Sequence, residues 1–216
     1  HVLGMILSFS RRFPQLYRQQ LQHQWKRPPI TELHEINGKT MAIVGLGAIG
    51  HEIAKKAKAM DMRVIAAKRE MTQEPFVDRL YRPEQLLEML SEADFVVVTL
   101  PLTDATQNLF GREQFAAMKS TAFFINVSRG GVVQEDQLIA ALQENRLAGA
   151  GLDVFVEEPL PASSPFWDLP NVIITPHLAA ISPVYLDRAL QLFAENLAAF
   201  MDGKPLPTLI DKDRGY

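Results

Sequence analysis

The chain has 216 residues, of which 47% are hydrophobic and 22% charged, and its formal net charge at pH 7 is −3. This composition is typical of a packed protein, and the small negative charge gives no general attraction to nucleic acid or membrane. The sequence contains no cysteine, which excludes disulfides and thiolate metal sites and is compatible with the cytoplasm, the location that we expect. No apolar run reaches the roughly 20 residues of a membrane span.

The first thirty residues are predicted to be helical. Apolar side chains recur there at helical spacing, with no capping signal before them: Val2, Met5, Ile6, Phe9 and Phe13. Pro14 suits the start of a second helical piece over 15–24, and Pro28-Pro29 ends it. The cations of this region indicate a solvated face and not a nucleic-acid site: Arg11, Arg12, Arg18, Lys26 and Arg27.

From Lys39 onward, apolar runs alternate with amphipathic segments, which predicts a doubly wound α/β fold with helices on both faces of a parallel sheet. Strands are predicted over 41–44, 62–67, 95–99, 122–126, 148–152 and 172–175, and helices over 49–60, 83–91, 111–118 and 134–145. A last helix over 183–202 carries one apolar face, and Gly203 ends it. That face consists of Leu186, Leu190, Phe193, Leu197 and Phe200.

A glycine motif, Gly45-Leu-Gly-Ala-Ile-Gly50, lies between a predicted strand and a predicted helix, as a dinucleotide-binding loop requires. Gly45 allows a tight turn, Gly47 lets the backbone approach a pyrophosphate, and Gly50 lets the helix pack closely on the strand. Free amides at the helix start, at Ala48 and Ile49, attract the phosphates. We therefore predict that this loop binds a dinucleotide and is not merely a structural turn.

The end of the second strand indicates which dinucleotide binds. A carboxylate there would accept hydrogen bonds from the adenosine ribose and repel a 2′-phosphate, but the chain has Ala66-Ala-Lys-Arg69 instead. Two cations favour a 2′-phosphate, so NADP(H) is predicted to be preferred, with NAD(H) possible. The alternative is that Lys68 and Arg69 are ordinary surface charges and that Glu70 turns inward.

Arg129 follows a predicted strand and precedes two glycines, at the sheet edge where such folds bind ligands. Its guanidinium could grip a substrate carboxylate with two hydrogen bonds and polarise the neighbouring keto oxygen. A lone arginine in a loop is more often a surface residue. The other candidate site residues favour the functional role here.

His177 follows Pro176 just past another predicted strand, which suits a general acid that protonates a carbonyl oxygen while hydride reaches the carbon. Glu158 is its expected partner, since a nearby carboxylate orients the ring. Asp153 either caps the following loop or faces the nicotinamide. The remaining histidines have no partner motif and are expected to be structural: His1, His23, His34 and His51.

These motifs together resemble the D-isomer-specific 2-hydroxyacid dehydrogenase family. The resemblance covers nearly the whole chain and is carried by six segments: Val44-Gly-Leu-Gly-Ala-Ile-Gly50, Leu100-Pro-Leu-Thr103 with Thr106, Asn126-Val-Ser-Arg-Gly-Gly131, Gly151-Leu-Asp-Val-Phe155, Glu158-Pro159 and Thr175-Pro-His177. It implies a Rossmann-type sheet and hydride transfer between NADP(H) and a small 2-keto acid, giving the D-2-hydroxy acid.

The resemblance also implies residue roles. Arg129 would be the substrate clamp, His177 the acid/base and Glu158 its partner. The cofactor would contact the glycine loop, Lys68 and Arg69, and a further set of residues: Leu100, Pro101, Thr106, Val127, Asp153, His177 and Ala179. No metal site is predicted.

Three segments resemble the NADPH-linked glyoxylate/hydroxypyruvate reductases more narrowly: Leu178-Ala-Ala-Ile-Ser182, Pro159-Leu-Pro161 and Asp211-Lys-Asp-Arg-Gly-Tyr216. Two alternatives stay open, an NAD-linked enzyme such as a phosphoglycerate or D-lactate dehydrogenase, and a dinucleotide-sensing module that resembles corepressor relatives. The presence of Arg129, Glu158 and His177 together favours an enzyme.

Family members carry an additional segment that builds, with the returning last helix, a separate substrate domain. We therefore expect 1–30 to be an interdomain helix region, 31–182 the dinucleotide-binding domain, and 183–216 a helix and tail directed toward a substrate domain that is largely absent. This chain would be part of a longer enzyme. The apolar faces of its first and last helices should be partly bare unless a homodimer, which we expect, covers them.

Overall fold

A parallel β-sheet organises residues 1–212, the part of the chain that the structure, a computed structural model, describes. Its strands are β1 (Thr40–Val44), β2 (Arg63–Ala67), β3 (Arg79–Tyr81), β4 (Phe95–Val98), β5 (Phe123–Asn126), β6 (Gly149–Leu152) and β7 (Val172–Ile174). They lie in the order β3-β2-β1-β4-β5-β6-β7, and each neighbouring pair is parallel. The predicted doubly wound, Rossmann-type fold is confirmed.

The helices are α1 (Val2–Ser10), α2 (Phe13–Leu21), α3 (Ala48–Lys58), α4 (Leu86–Glu92), α5 (Arg112–Ala117), α6 (Glu135–Gln143) and α7 (Tyr185–Met201). Each predicted helix and strand is present, with ends that differ by a few residues. Within residues 1–212, no helix is both long and apolar enough to span a membrane. Residues 213–216 of the tail that resembles the reductases lie outside the described part.

The sequence did not predict β3, the edge strand that pairs with β2 from Ile65 opposite Arg79 to Ala67 opposite Tyr81. Three residues are too few to show a two-residue period, so only pairing with β2 identifies this segment as a strand. Another difference occurs at the start of α4, where residues Pro83–Gln85 form a 3-10 turn before the α-helix begins.

The sheet is buried on both faces because its strand residues alternate between two apolar clusters. Met41 and Ile43 of β1 pack with α1 and α3, whereas Ala42 and Val44 pack with α4, α5 and α6. Three side chains of α3, those of Ile53, Ala54 and Ala57, are buried against the sheet. This double cover explains why the strands are almost continuously apolar.

The expectation of partly bare apolar faces is wrong for α1 and correct for α7. Four apolar side chains of α1 are buried against the sheet: Val2, Met5, Ile6 and Phe9. The chain turns at Arg12, whose φ is 57°, and therefore Phe13 starts α2 on the surface. In contrast, none of Tyr185–Met201 is buried, and the five residues of the predicted apolar face are 48% to 69% exposed.

The glycine loop at the end of β1 shows why its residues are required. Gly45 has a φ of 102°, a conformation that residues with a side chain rarely adopt. At Gly50, a Cβ atom would lie 2.5 Å from the carbonyl oxygen of Gly45 and 3.3 Å from Cγ2 of Ile43. The absence of a side chain thus lets α3 start directly against β1.

Replacing Gly50 with Ala is expected to lower the free energy of unfolding by about 1 to 3 kcal/mol, because the new methyl group overlaps the Gly45 carbonyl. Gly4→Ala, inside α1, is the matched control. Among the described residues, no heavy atom outside that helix lies within 4 Å of a Cβ placed there, and stability should stay unchanged or rise by up to about 1 kcal/mol because Ala favours a helix. Urea denaturation gives the free energy of unfolding of both variants. Equal losses would show that the close approach at Gly50 does not constrain the fold.

Candidate active site

The candidate site residues all follow the carboxyl ends of strands and therefore meet at one edge of the sheet. Gly45 follows β1, Lys68 follows β2, and Leu100 lies two residues after β4. On the other side, Arg129, Asp153 and His177 follow β5, β6 and β7, in the order Arg129, Asp153, His177 across the sheet. Since neighbouring strands lie about 4.8 Å apart, the ends of β5 and β7 are about 10 Å apart, a distance that one small molecule can bridge.

The glycine loop leaves its backbone accessible to a ligand. Thr99, which follows β4, donates a hydrogen bond from Oγ1 to the Gly45 carbonyl at 2.5 Å and so fixes the turn. Gly47 is the N-cap of α3, and Ala48 and Ile49, in the first turn of α3, are exposed. The first amides of a helix have no intrahelical acceptor, so this arrangement fits a pyrophosphate.

At the end of β2, the Lys68 ammonium group already has partners within the protein. Its Nζ is paired with Glu74 and donates a hydrogen bond to Thr72 Oγ1 at 3.2 Å. Arg69 and Glu70 are exposed, so the alternative in which Glu70 turns inward is wrong. A partly buried carboxylate in this region belongs to Glu74, which the sequence analysis missed because it lies six residues beyond Lys68 in an irregular segment.

The segment after β4 is held by a hydroxyl that was predicted to contact the cofactor. Thr106 is buried, and its Oγ1 donates to the Pro101 carbonyl at 2.6 Å and accepts from the Thr103 amide at 2.8 Å. Thr106 therefore shapes the loop that presents Leu100 and Pro101, both partly exposed. Nearby, Val127 is half buried and packs on the apolar cluster that α1 and α3 form with one face of the sheet.

Arg129 lies on a rigid support formed by buried polar groups. The side chain of Asn126, at the end of β5, accepts from the Ser128 amide at 3.0 Å and donates to the Arg129 carbonyl at 3.1 Å. At Gly130, a Cβ atom would overlap the backbone of Phe155, so the turn packs directly against the segment after β6. The guanidinium itself is exposed and donates from Nη1 to the Ser128 carbonyl at 2.7 Å. The sequence analysis did not assign Asn126 a role. Its position as a polar residue at the end of the apolar run Ala122-Phe-Phe-Ile-Asn126 is the signal that could have indicated one.

His177 and Glu158 form the predicted pair. Nδ1 of His177 lies 2.7 Å from Oε2 of Glu158, and the His177 side chain is 49% exposed. An ionised Glu158 can only accept, so Nδ1 carries a proton. The other ring nitrogen, Nε2, makes no recorded hydrogen bond within residues 1–212, and it is the atom available to a substrate.

Glu158 is held in its ionised form by its contacts. Burial raises the pKa of this carboxyl, but the hydrogen bonds from His177 and from the Phe155 amide outweigh burial, and the net pKa lies below the usual 4.5. The Phe155 amide donates to Oε1 at 2.9 Å, and the Val156 amide donates to Glu135 at 2.8 Å. These two contacts anchor the segment that carries Glu158.

Asp153 adopts the loop-capping role that was one of its two predicted roles. Its side chain is 1% exposed and accepts three hydrogen bonds from the segment after β7: from Thr175 Oγ1 at 2.5 Å, from the Leu178 amide at 3.0 Å and from the Ala179 amide at 2.9 Å. The Asp153 carbonyl accepts from the His177 amide at 2.8 Å. Asp153 thus positions His177, whose φ of 50° needs such support. Among the described residues, no group of three or more His, Asp or Glu side chains could hold a metal ion.

Asp153→Asn is expected to lower the free energy of unfolding by about 1 to 3 kcal/mol. The substitution replaces a charged acceptor with an amide, whose NH2 group would face the backbone N–H of Leu178 or Ala179. Asp104→Asn is the matched control, since Asp104 is exposed in the loop after β4. Urea denaturation compares the two variants. A loss no larger than that of the control would mean that the cap at Asp153 does not stabilise this edge.

Glu158 should make stability depend on pH in a defined direction. A carboxyl whose pKa is lower in the folded state contributes stability above its unfolded value near 4.5, and that contribution is lost as the pH falls through the folded value. The melting temperature of Glu158→Gln should therefore lie below that of the unmodified chain near neutral pH and approach it in acid. Glu157→Gln, an exposed neighbour, is the control. A difference that is constant from about pH 3 to pH 7 would contradict the assignment.

Comparisons with known proteins agree with this geometry. Residues 3–179 match the profile of the family described as D-isomer specific 2-hydroxyacid dehydrogenase, NAD binding domain. The chain is 37% identical to the glyoxylate reductase of Korarchaeum cryptofilum over 97% of its own length and 64% of that protein. It is also 37% identical to glyoxylate/hydroxypyruvate reductase B of Pectobacterium carotovorum, over 94% of this chain and 64% of that protein. The chain thus spans less than two thirds of the length of these relatives.

Solved structures are similar over the whole chain. A D-isomer specific 2-hydroxyacid dehydrogenase of Xanthobacter autotrophicus, in complex with NADPH and MES, matches with a TM-score of 0.89 and 35% identity, over 100% of this chain and 87% of that chain. The NADPH-dependent glyoxylate/hydroxypyruvate reductase of Sinorhizobium meliloti, in complex with NADP and sulfate, matches with a TM-score of 0.89 and 34% identity, over 100% of this chain and 68% of that chain. The chain therefore belongs to the D-isomer specific 2-hydroxyacid dehydrogenase family and contains its NAD binding domain.

Proposed function

We propose that this chain forms the cofactor-binding part of an NADP(H)-dependent reductase that converts a small 2-keto acid, such as glyoxylate or hydroxypyruvate, into the D-2-hydroxy acid. The observation that carries this proposal is the contact between His177 and Glu158 at the sheet edge that also presents Arg129 and the glycine loop. The proposed general acid, substrate clamp and dinucleotide loop then lie at the same edge of the sheet.

The residues at this edge fit the dinucleotide. The open space at Gly47 and the exposed first turn of α3 accommodate a pyrophosphate. Leu100 and Pro101 would line the cleft, while Thr106 and Asp153 would act by shaping it. Val127 and Ala179 complete the cofactor contacts that we propose. When bound, NADPH supplies the hydride.

The protein groups then supply proton, charge and orientation. Arg129 would bind the substrate carboxylate, since a guanidinium has five N–H donors and, among the described residues, only Nη1 is directed to a protein acceptor, the Ser128 carbonyl. As an imidazolium with a proton on each ring nitrogen, His177 would donate the Nε2 proton to the keto oxygen and become neutral, while Glu158 accepts from Nδ1–H and holds the ring. The developing charge on that oxygen is stabilised by the nearby guanidinium. Reversal of these steps oxidises the hydroxy acid.

Preference for NADP(H) is supported by Lys68 and Arg69 at the end of β2, and by the relatives solved with NADPH or NADP. The same proposal includes a substrate domain outside this chain. Residues 1–30 would be the interdomain region, 31–182 the dinucleotide-binding domain, and 183–216 a segment directed toward the substrate domain.

We further propose that the protein is a cytoplasmic homodimer. The exposed apolar residues of α2 and the segment after it support an interface: Phe13, Tyr17, Leu21 and Trp25.

His177→Gln tests the mechanism. In the longer enzyme that we propose contains this chain, turnover of glyoxylate and hydroxypyruvate should fall by about 100-fold or more, because Gln cannot donate the proton. NADPH affinity, measured by titration of the 216-residue chain, should stay nearly unchanged. His23→Gln, an exposed position after α2, is the matched control and should leave both quantities unchanged. Full activity of His177→Gln would refute the assigned acid.

A further inference from the structure

A compact cluster centred on a carboxylate lies at the end of β2. Glu74, in the segment between β2 and β3, pairs with Lys68 and lies 3.3 Å, through Oε2, from Nε2 of His51. Thr72 completes the cluster, because its Oγ1 donates to Glu74 at 3.3 Å and accepts from Lys68 at 3.2 Å. The Glu74 side chain is only 9% exposed. The histidine that was expected to be merely structural thus belongs to a charged group.

This cluster borders the glycine loop. Strands β1 and β2 are paired in register up to Val44 opposite Ala67, so Gly45 and Lys68 leave the sheet side by side. His51 directly follows Gly50 in the first turns of α3. If the pyrophosphate binds at this loop, the adenosine ribose lies beyond the end of β2, within reach of Lys68.

The charges of the cluster affect two cofactors differently. A 2′-phosphate carries about two negative charges at neutral pH and needs Lys68 as a partner, whereas a ribose hydroxyl is uncharged. The hydrogen bond from Lys68 lowers the pKa of Glu74, so this carboxylate stays ionised near neutral pH. Glu74 therefore competes with the phosphate for Lys68 and also repels it.

His51 gives Glu74 a second partner on the far side of the carboxylate. When Lys68 turns toward a phosphate, Glu74 can keep its contact with His51 and does not have to remain buried alone. The cluster thus has two usable arrangements, one with Lys68 on Glu74 and one with Lys68 on the ligand.

We propose that Glu74 is a specificity-determining residue of the dinucleotide site, which neutralises Lys68, weakens the binding of cofactors with a 2′-phosphate, and so sets how strongly NADP(H) is preferred over NAD(H). This inference rests on the proposed function, because it requires the adenosine ribose at the end of β2.

The test is a titration of the 216-residue chain with NADPH and, separately, with NADH. Glu74→Gln keeps the size of the side chain and an acceptor for Lys68 while it removes the charge. NADPH affinity should rise by about tenfold, and NADH affinity should change by less than about twofold. Glu70→Gln, in the same segment but exposed, is the matched control and should have little effect on either affinity.

The outcomes separate this inference from the proposed function. If the unmodified chain binds the dinucleotides and Glu74→Gln changes both affinities alike, or weakens NADPH, Glu74 only anchors the segment and the inference fails while the function stands. If the unmodified chain binds neither NADPH nor NADH, both fail.

A second measurement needs no variant. The ring resonances of His51 in the unmodified chain should shift more on addition of 2′,5′-ADP than on addition of 5′-AMP. Both probes carry a 5′-phosphate, which can bind near the first turn of α3, but only 2′,5′-ADP carries the 2′-phosphate that displaces Lys68 from Glu74. Equal shifts with the two probes, or no shift with 2′,5′-ADP, would overturn the inference even where Glu74→Gln does not fold.

Discussion

The parallel direction of the strands is the constraint on which the candidate site depends. Within residues 1–212, every neighbouring pair in the seven-stranded sheet is parallel, so each segment that follows a strand leaves from the same edge. Groups far apart in the chain, Gly45 and His177 for example, are therefore placed at the same edge. Helices on both faces make the arrangement stable, because strands buried on two sides must be covered twice.

Buried polar groups then convert a common edge into a defined geometry. Asp153 holds the segment that carries His177, Asn126 supports the turn that carries Arg129, and Thr106 closes the loop after β4. Each of these groups makes hydrogen bonds to backbone atoms of the protein, which rigidifies the exposed side chains beside it. The family resemblance assigned Thr106 and Asp153 to the cofactor cleft, and the structure shows how they would shape it.

The two ends of this edge differ in electrostatic character. Around β6 and β7, the Glu158 carboxylate accepts hydrogen bonds from His177 and from the Phe155 amide. Around β2, the cation that was predicted to bind a phosphate is already neutralised by Glu74. The two cations that follow β2, Lys68 and Arg69, therefore overstate the positive potential at this end of the edge, because Glu74 from an irregular segment lies beside Lys68.

The sequence by itself determined the alternation of strands and helices, the glycine loop, and the identities of Arg129, Glu158 and His177, because these depend on local periodicity and on short motifs. Only the tertiary structure decided that α1 is buried, that β3 exists and that Asp153 caps a loop. The partnership of Lys68, Glu74 and His51 was also decided at that level. These features arise from contacts between segments distant in the chain, and neither spacing nor residue type encodes such contacts locally.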